Sequence, residues 1–249
     1  MSQVALFLPE GLSLASYAQM SALILAAACL QGIGGIGFAM FAAPIAGLFF
    51  PSMTPASLLV LGGLVSLLCA WRERVHIDWS MARFGILGRC AGGALAVGIV
   101  ALVPLRYFSG TYGLLLLMAV VLTMRGWKVL PSRRNTCVAG VVSGVMGTIT
   151  SAGAPPFAIL TQRLEPPQIR ATVGCILAVG AAVSLLMLGA AGRFNLPQLG
   201  LSISLIPWML LGFCLSSRVG RRFSAGGVRL FLLGLAGAGA LGILAKSAI

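Results

Sequence analysis

The residues in this chain best placed to do chemistry fall in two glycine-rich breaks. The first is Gln31-Gly32-Ile33-Gly34-Gly35-Ile36-Gly37, followed by Pro44. The second runs from Ser143-Gly144 through Gly147, Thr148, Thr150, Ser151 and Gly153 to Pro155 and Pro156. A shift of 112 positions lays Gly32, Gly35 and Pro44 on Gly144, Gly147 and Pro156. Glycines let backbone approach a ligand closely. Gln31 brings an amide, and Thr148, Thr150 and Ser151 bring hydroxyl donors. Pro155 and Pro156 read as the first turn of a helix, whose N–H groups and positive dipole end favour an anion. The expected ligand-lining set is Gln31, Gly32, Gly34, Gly35, Thr148, Thr150, Ser151, Gly153 and Pro155, with Arg89 added below. For any one glycine, close helix packing is the competing explanation.

The acidic inventory narrows the ligand. Of 249 residues only four are carboxylates, Glu10, Glu73, Asp78 and Glu165, and none lies in an apolar run. Cation pumps and proton relays place Asp or Glu inside the membrane, so this pattern disfavours both and favours an anionic substrate. The coupling ion stays open. Arg89 is the one basic residue inside an apolar run. It either snorkels to the interface or draws anions to the site. Catalysis is not expected: a nucleophile such as Ser143 or Cys137 needs a base in reach, and the single histidine, His76, stands in a charged loop. The six cysteines form no C-x-x-C pair, so no metal or other cofactor is expected.

These residues need elements to hold them, and composition names the solvent. The chain is 59% hydrophobic and 8% charged, with a mean hydropathy of +1.04, against about 25% charged residues in soluble domains. It reads as one integral membrane domain, 1–249, of the cell (inner) membrane. The first 17 residues lack Lys and Arg, so no signal peptide is expected. The net charge of +13 does not imply nucleic acid, because the basic residues sit in short loops beside apolar runs, where they set topology.

Six full spans are expected: Pro55–Arg72, Arg83–Val103, Tyr107–Met124, Ala171–Ala191, Leu196–Leu215 and Val228–Ala245. The arms around the breaks, Ala18–Gln31 with Phe38–Phe50 and Thr136–Gly147 with Pro155–Gln162, each fall short of the ~20 residues a crossing needs. They make either kinked spans, eight in all, or re-entrant hairpins. Kinked spans divide the loop Arg and Lys residues nine to seven. Hairpins put thirteen on one side and leave Arg106, Arg193 and Lys246 on the other. The positive-inside rule prefers the hairpins and places both termini outside the cytoplasm. The expected fold is all-α and polytopic, with two inverted repeats, 18–124 and 136–245, joined by a cytoplasmic linker, 125–135. Each repeat holds one hairpin and three spans, and the two glycine tips meet near the midplane. Small-residue faces at Gly88/Gly92 and Gly234/Ala238/Gly242 suit internal packing or a homodimer seam.

The breaks, their prolines and the duplicated unit resemble the TauE/SafE sulfite-exporter family over about residues 18–245. Its members carry a G-x-G-G-G-like motif, here Gly32-Ile33-Gly34-Gly35-Ile36-Gly37. A second, G-x-G-G-P-P-like motif reads here as Ser151-Ala152-Gly153-Ala154-Pro155-Pro156, with Ala154 where the family often has glycine. The resemblance implies transport of small sulfur-containing anions such as sulfite or sulfonates. Alternating access around the hairpin tips is the expected mechanism, an anion channel the alternative, and a membrane-embedded enzyme the remote one.

Overall fold

A computed structural model describes residues 12–102, 108–124, 129–220 and 225–248. Glu10 and the expected span ends Val103 and Tyr107 lie outside these residues. The described residues form helices and no strand. In chain order the α-helices are α1 Leu14–Gly34, α2 Phe38–Phe49, α3 Ala56–Arg72, α4 Trp79–Leu102, α5 Phe108–Met124, α6 Arg133–Thr150, α7 Pro155–Leu160, α8 Pro166–Ala190, α9 Leu196–Val219 and α10 Ala225–Ala248. Four of them, α1, α8, α9 and the Trp79–Ile99 part of α4, are long and apolar enough to cross a membrane.

The first arms of the hairpins are longer than the sequence pattern suggests. Ser13 caps α1, its side chain accepting from Ser16 N–H, so the helix starts at Leu14 and runs 21 residues, about 31 Å at 1.5 Å per residue. Ser132 likewise caps α6 through Asn135 N–H, giving 18 residues. Both helices run through the glycines expected to break them. Gly32 and Gly144 stay helical because they are contact points: a Cβ on Gly32 would strike the Ser216 side chain of α9, and one on Gly144 would strike the backbone of α4 at Arg89 and Gly93. The breaks come at left-handed caps on Gly35 (φ 74°), one turn past Gly32, and Ser151 (φ 65°), two turns past Gly144. These caps lie 116 positions apart, not 112.

Helix directions follow from pairs in contact. Tyr17 donates to Ser204 O, Leu25 meets Gly212 and Gly32 meets Ser216, so α1 runs parallel to α9. Gly88 meets Cys137, Gly92 meets Val141 and Gly93 meets Thr148, so α6 runs parallel to α4. Gly88 and Gly92 thus serve internal packing. The Gly212–Leu25 and Gly92–Val141 contacts hold α1 on α9 as they hold α6 on α4, and Leu25 and Val141 are again 116 apart. Helix α3 lies antiparallel to α8, with Gly63 on Ala181 and Gly174 on Ser66 and Ala70.

Each hairpin returns to the end it left. Helix α1 begins beside Ser204 and α3 begins where Ser57 donates to Gln198 O; both partners lie in the first half of α9. At the opposite end, Gln162 and Arg163 after α7 share a pocket with Val129–Pro131 before α6. The tips do not meet at the centre. Gly32 O accepts from Arg72 at the end of α3, whereas Ser151 Oγ donates to Pro55 O before its start. The long first arms carry each tip past the middle of α3 toward opposite ends of it.

Candidate functional site

What does converge between the tips is a small cavity. Gln31 and Phe38 face it from the first hairpin, Ser151, Gly153 and Ala154 from the second, Leu58 to Ser66 from α3, Leu177 and Ala181 from α8, and Arg89 from α4. Its volume is about 30 Å³, room on the order of two water molecules. A larger solute fits only when the surrounding helices part.

Arg89 lies deep in the fold, with a relative exposure of 3%; it does not snorkel. Its Nη1 donates to Ser143 Oγ at 2.6 Å, and that hydroxyl donates its own proton to Gly153 O. The guanidinium fills a slot whose walls are glycine. A Cβ on Gly147 would stand 2.8 Å from Nη2, and Cβ atoms on Gly153 and Gly180 would overlap Nη1 and Nε. Nε has no hydrogen-bond partner among the described residues. Nor does any described carboxylate pair with this charge. Glu73 pairs with Arg170 at 2.6 Å and Arg72 at 3.7 Å, Asp78 accepts from the first N–H groups of α4, and Glu165 is exposed. A buried charge without an opposite charge costs several kcal/mol.

Gln31 holds the opposite wall. It is buried, with Nε2 donating to Ser66 Oγ at 2.8 Å and Oε1 accepting from Phe38 N–H at 3.0 Å. The side chain thereby ties α1 to α3 and satisfies the first donor of α2.

The helix-start donors expected at the second break are already used. Pro155 and Pro156 have no N–H, and Phe157 and Ala158 donate back to Ala154 O. Helix α7 has six residues, too few for much of a dipole. Positive charge at this cavity comes from Arg89 instead.

Of the residues singled out in the sequence, Gln31, Arg89, Ser151 and Gly153 face the cavity. The others do not. Gly32 packs on α9, Gly35 lies against Arg170, and Gly34 is exposed with open space around it. Thr148 pairs with Ser184 Oγ at 2.7 Å. Thr150 Oγ donates to Met146 O and caps Ala152 N–H. Pro155 begins α7, buried. Sequence reasoning missed Ser66, Gly180 and the role of Ser143. The signal for Ser143 was its place one turn before Gly147 in a break that faces Arg89's helix.

An ionic cluster stands at the Arg72 end of α3, around the end of α1. Arg72 donates to Gly32 O and Ser216 Oγ and lies over the Phe213 ring. Arg170 donates to Glu73 and to Ile33 O. Two guanidiniums thus cap the free carbonyls at the end of α1, where a helix dipole favours cations. The Pro55 end is held by neutral hydrogen bonds from Ser151 and Thr148.

No curated protein matches the chain, and no solved structure does. One family model does match, that of the sulfite exporter TauE/SafE family, over residues 20–243. That span covers most of the chain and every residue that lines the cavity, so the chain belongs to the TauE/SafE family of membrane transporters.

Proposed function

We propose that this protein carries a small anion of the sulfite or organosulfonate kind across the cell membrane, with Arg89 as its counter-charge. The observation that carries the reading is the buried guanidinium at a cavity between two hairpins, with no described carboxylate to neutralise it. Gln31, Ser66, Ser151 and Gly153 supply polar groups around the anion. Gly32, Gly34, Gly35, Thr148, Thr150 and Pro155 build the hairpin ends that hold them.

The mechanism is alternating access between two inverted repeats. The matched contacts of α1 on α9 and of α6 on α4 support it. So do the tips at opposite ends of α3, each positioned to open one side of the cavity. Both termini lie outside the cytoplasm, and the Arg72 end faces the cytoplasm, where Arg133, Arg134, Arg163 and Arg170 also gather. An enzyme fits poorly: Ser143 Oγ is bound to Arg89 and Gly153 O rather than to a base, and His76 is exposed.

The test is flux of labelled sulfite from reconstituted vesicles. Carrier-type transport saturates with concentration, and Arg89→Ala lowers it sharply. Conductance that does not saturate points to a channel. Saturable flux untouched by Arg89→Ala refutes the site.

A further inference from the structure

Arginine does not lose its proton in proteins, so the charge on Arg89 cannot be switched off by protonation chemistry. The described carboxylates stand elsewhere: Glu73 is shared by Arg72 and Arg170, Asp78 caps α4, and Glu165 is exposed. The sole histidine, His76, is exposed in the α3–α4 connection. Within the described cavity wall, then, no group answers this charge as the cavity changes sides. When one end is open, water can solvate the guanidinium. When both ends are closed, as alternating access requires at mid-cycle, the helices leave it unpaired, and an uncompensated buried charge is strongly unfavourable. An anion beside Arg89 removes that penalty.

We infer that the protein is an anion exchanger: the cavity reorients readily only with an anion at Arg89, so substrate that leaves must be replaced by a counter-anion before the carrier returns. This rests on the anion-transport reading above and adds its coupling mode. A monovalent counter-anion suffices, because one guanidinium faces the cavity. The first hairpin offers no further charge across the cavity: Gln31 faces it as a neutral amide. The cavity of about 30 Å³ makes a monatomic anion a natural occupant for the return step. A tenfold difference in reorientation rate corresponds to about 1.4 kcal/mol, well inside the penalty for a buried ion.

The experiment uses the full chain in proteoliposomes, with potassium and valinomycin clamping the voltage so that charge build-up does not limit net movement. Uptake of labelled sulfite is measured into vesicles holding chloride, unlabelled sulfite, or only a polymeric carboxylate too large for the cavity. Chloride or sulfite inside is expected to speed initial uptake at least about tenfold over the polymer. Arg89→Lys keeps the charge and keeps this trans-stimulation, while Arg89→Gln lowers the ratio toward one. Equal clamped rates with and without a small internal anion overturn exchange while leaving anion transport standing. Trans-stimulation that survives Arg89→Gln overturns its origin in this charge. Absence of sulfite and chloride flux in every arm refutes the transport reading, and exchange falls with it.

Discussion

Gly35 and Ser151 end their helices in the same way. Both sit in the left-handed region, at φ 74° and 65°, and each donates its N–H to the carbonyl four residues back, Gln31 O and Gly147 O. One is the residue made for that conformation and the other is not.

The surroundings decide which substitution each cap tolerates. At Gly35 a Cβ would stand 2.8 Å from the Arg170 Cα. Gly35→Ser is therefore expected to destabilise by about 2 kcal/mol or more, from backbone strain plus overpacking. Ser151→Gly relieves strain but loses the bond to Pro55 O, and should leave stability within about 1 kcal/mol. Thermal unfolding in detergent checks the contrast; equal losses at the two caps refute it.

Two glycines on α8 give an internal control. A Cβ on Gly180 would overlap Arg89 Nε, whereas one on Gly189 meets nothing within 4 Å. Gly180→Ala should cost about 1–3 kcal/mol and sulfite affinity with it. Gly189→Ala should be neutral or stabilise by up to about 1 kcal/mol. Ligand-induced shifts in melting temperature read both effects.

The Glu73 cluster ties the end of α1 to α3 and α8 and should act as a latch. Glu73→Gln removes the partner of Arg170 and Arg72. Because the pair is only partly buried, the stability loss should be modest, about 1–2 kcal/mol. A cysteine in place of Ser66, on the cavity wall, should react faster with a charged thiol reagent when Glu73→Gln is added. Unchanged reactivity would mean that the cluster is structural only.

Gln31 carries two buried hydrogen bonds. Gln31→Ala strands the Phe38 N–H and should destabilise by about 1–3 kcal/mol. Gln31→Glu keeps the acceptor and places a carboxylate across the cavity from Arg89. It is expected to weaken sulfite binding more than it weakens the fold, a split that melting curves with and without sulfite resolve.

Much of this architecture was legible in the residues. The two breaks fall at the α1–α2 and α6–α7 connections, and the expected ends at Arg72, Met124 and Leu196 coincide with helix ends. What the pattern hid was the reach of α1 and α6. Gly32 and Gly144 look like helix breakers, yet glycine's helix penalty of about 1 kcal/mol is outweighed where its missing side chain lets α9 or α4 approach. An offset of 112 aligns glycines that share a letter, whereas the residues that turn the chain, Gly35 and Ser151, lie 116 apart. Arg89 was open for a related reason: linear position gives depth along α4 but not the slot opened by glycines on α6, its following loop and α8.

That slot has a consequence for how the sequence can drift. Gly147, Gly153 and Gly180 each leave space for the same guanidinium, so a side chain gained at any one of them collides with it. Loss of Arg89 would instead leave three empty places that larger residues could fill at little cost. The four positions form one epistatic unit: homologous chains should either keep the arginine with all three glycines or abandon the set together.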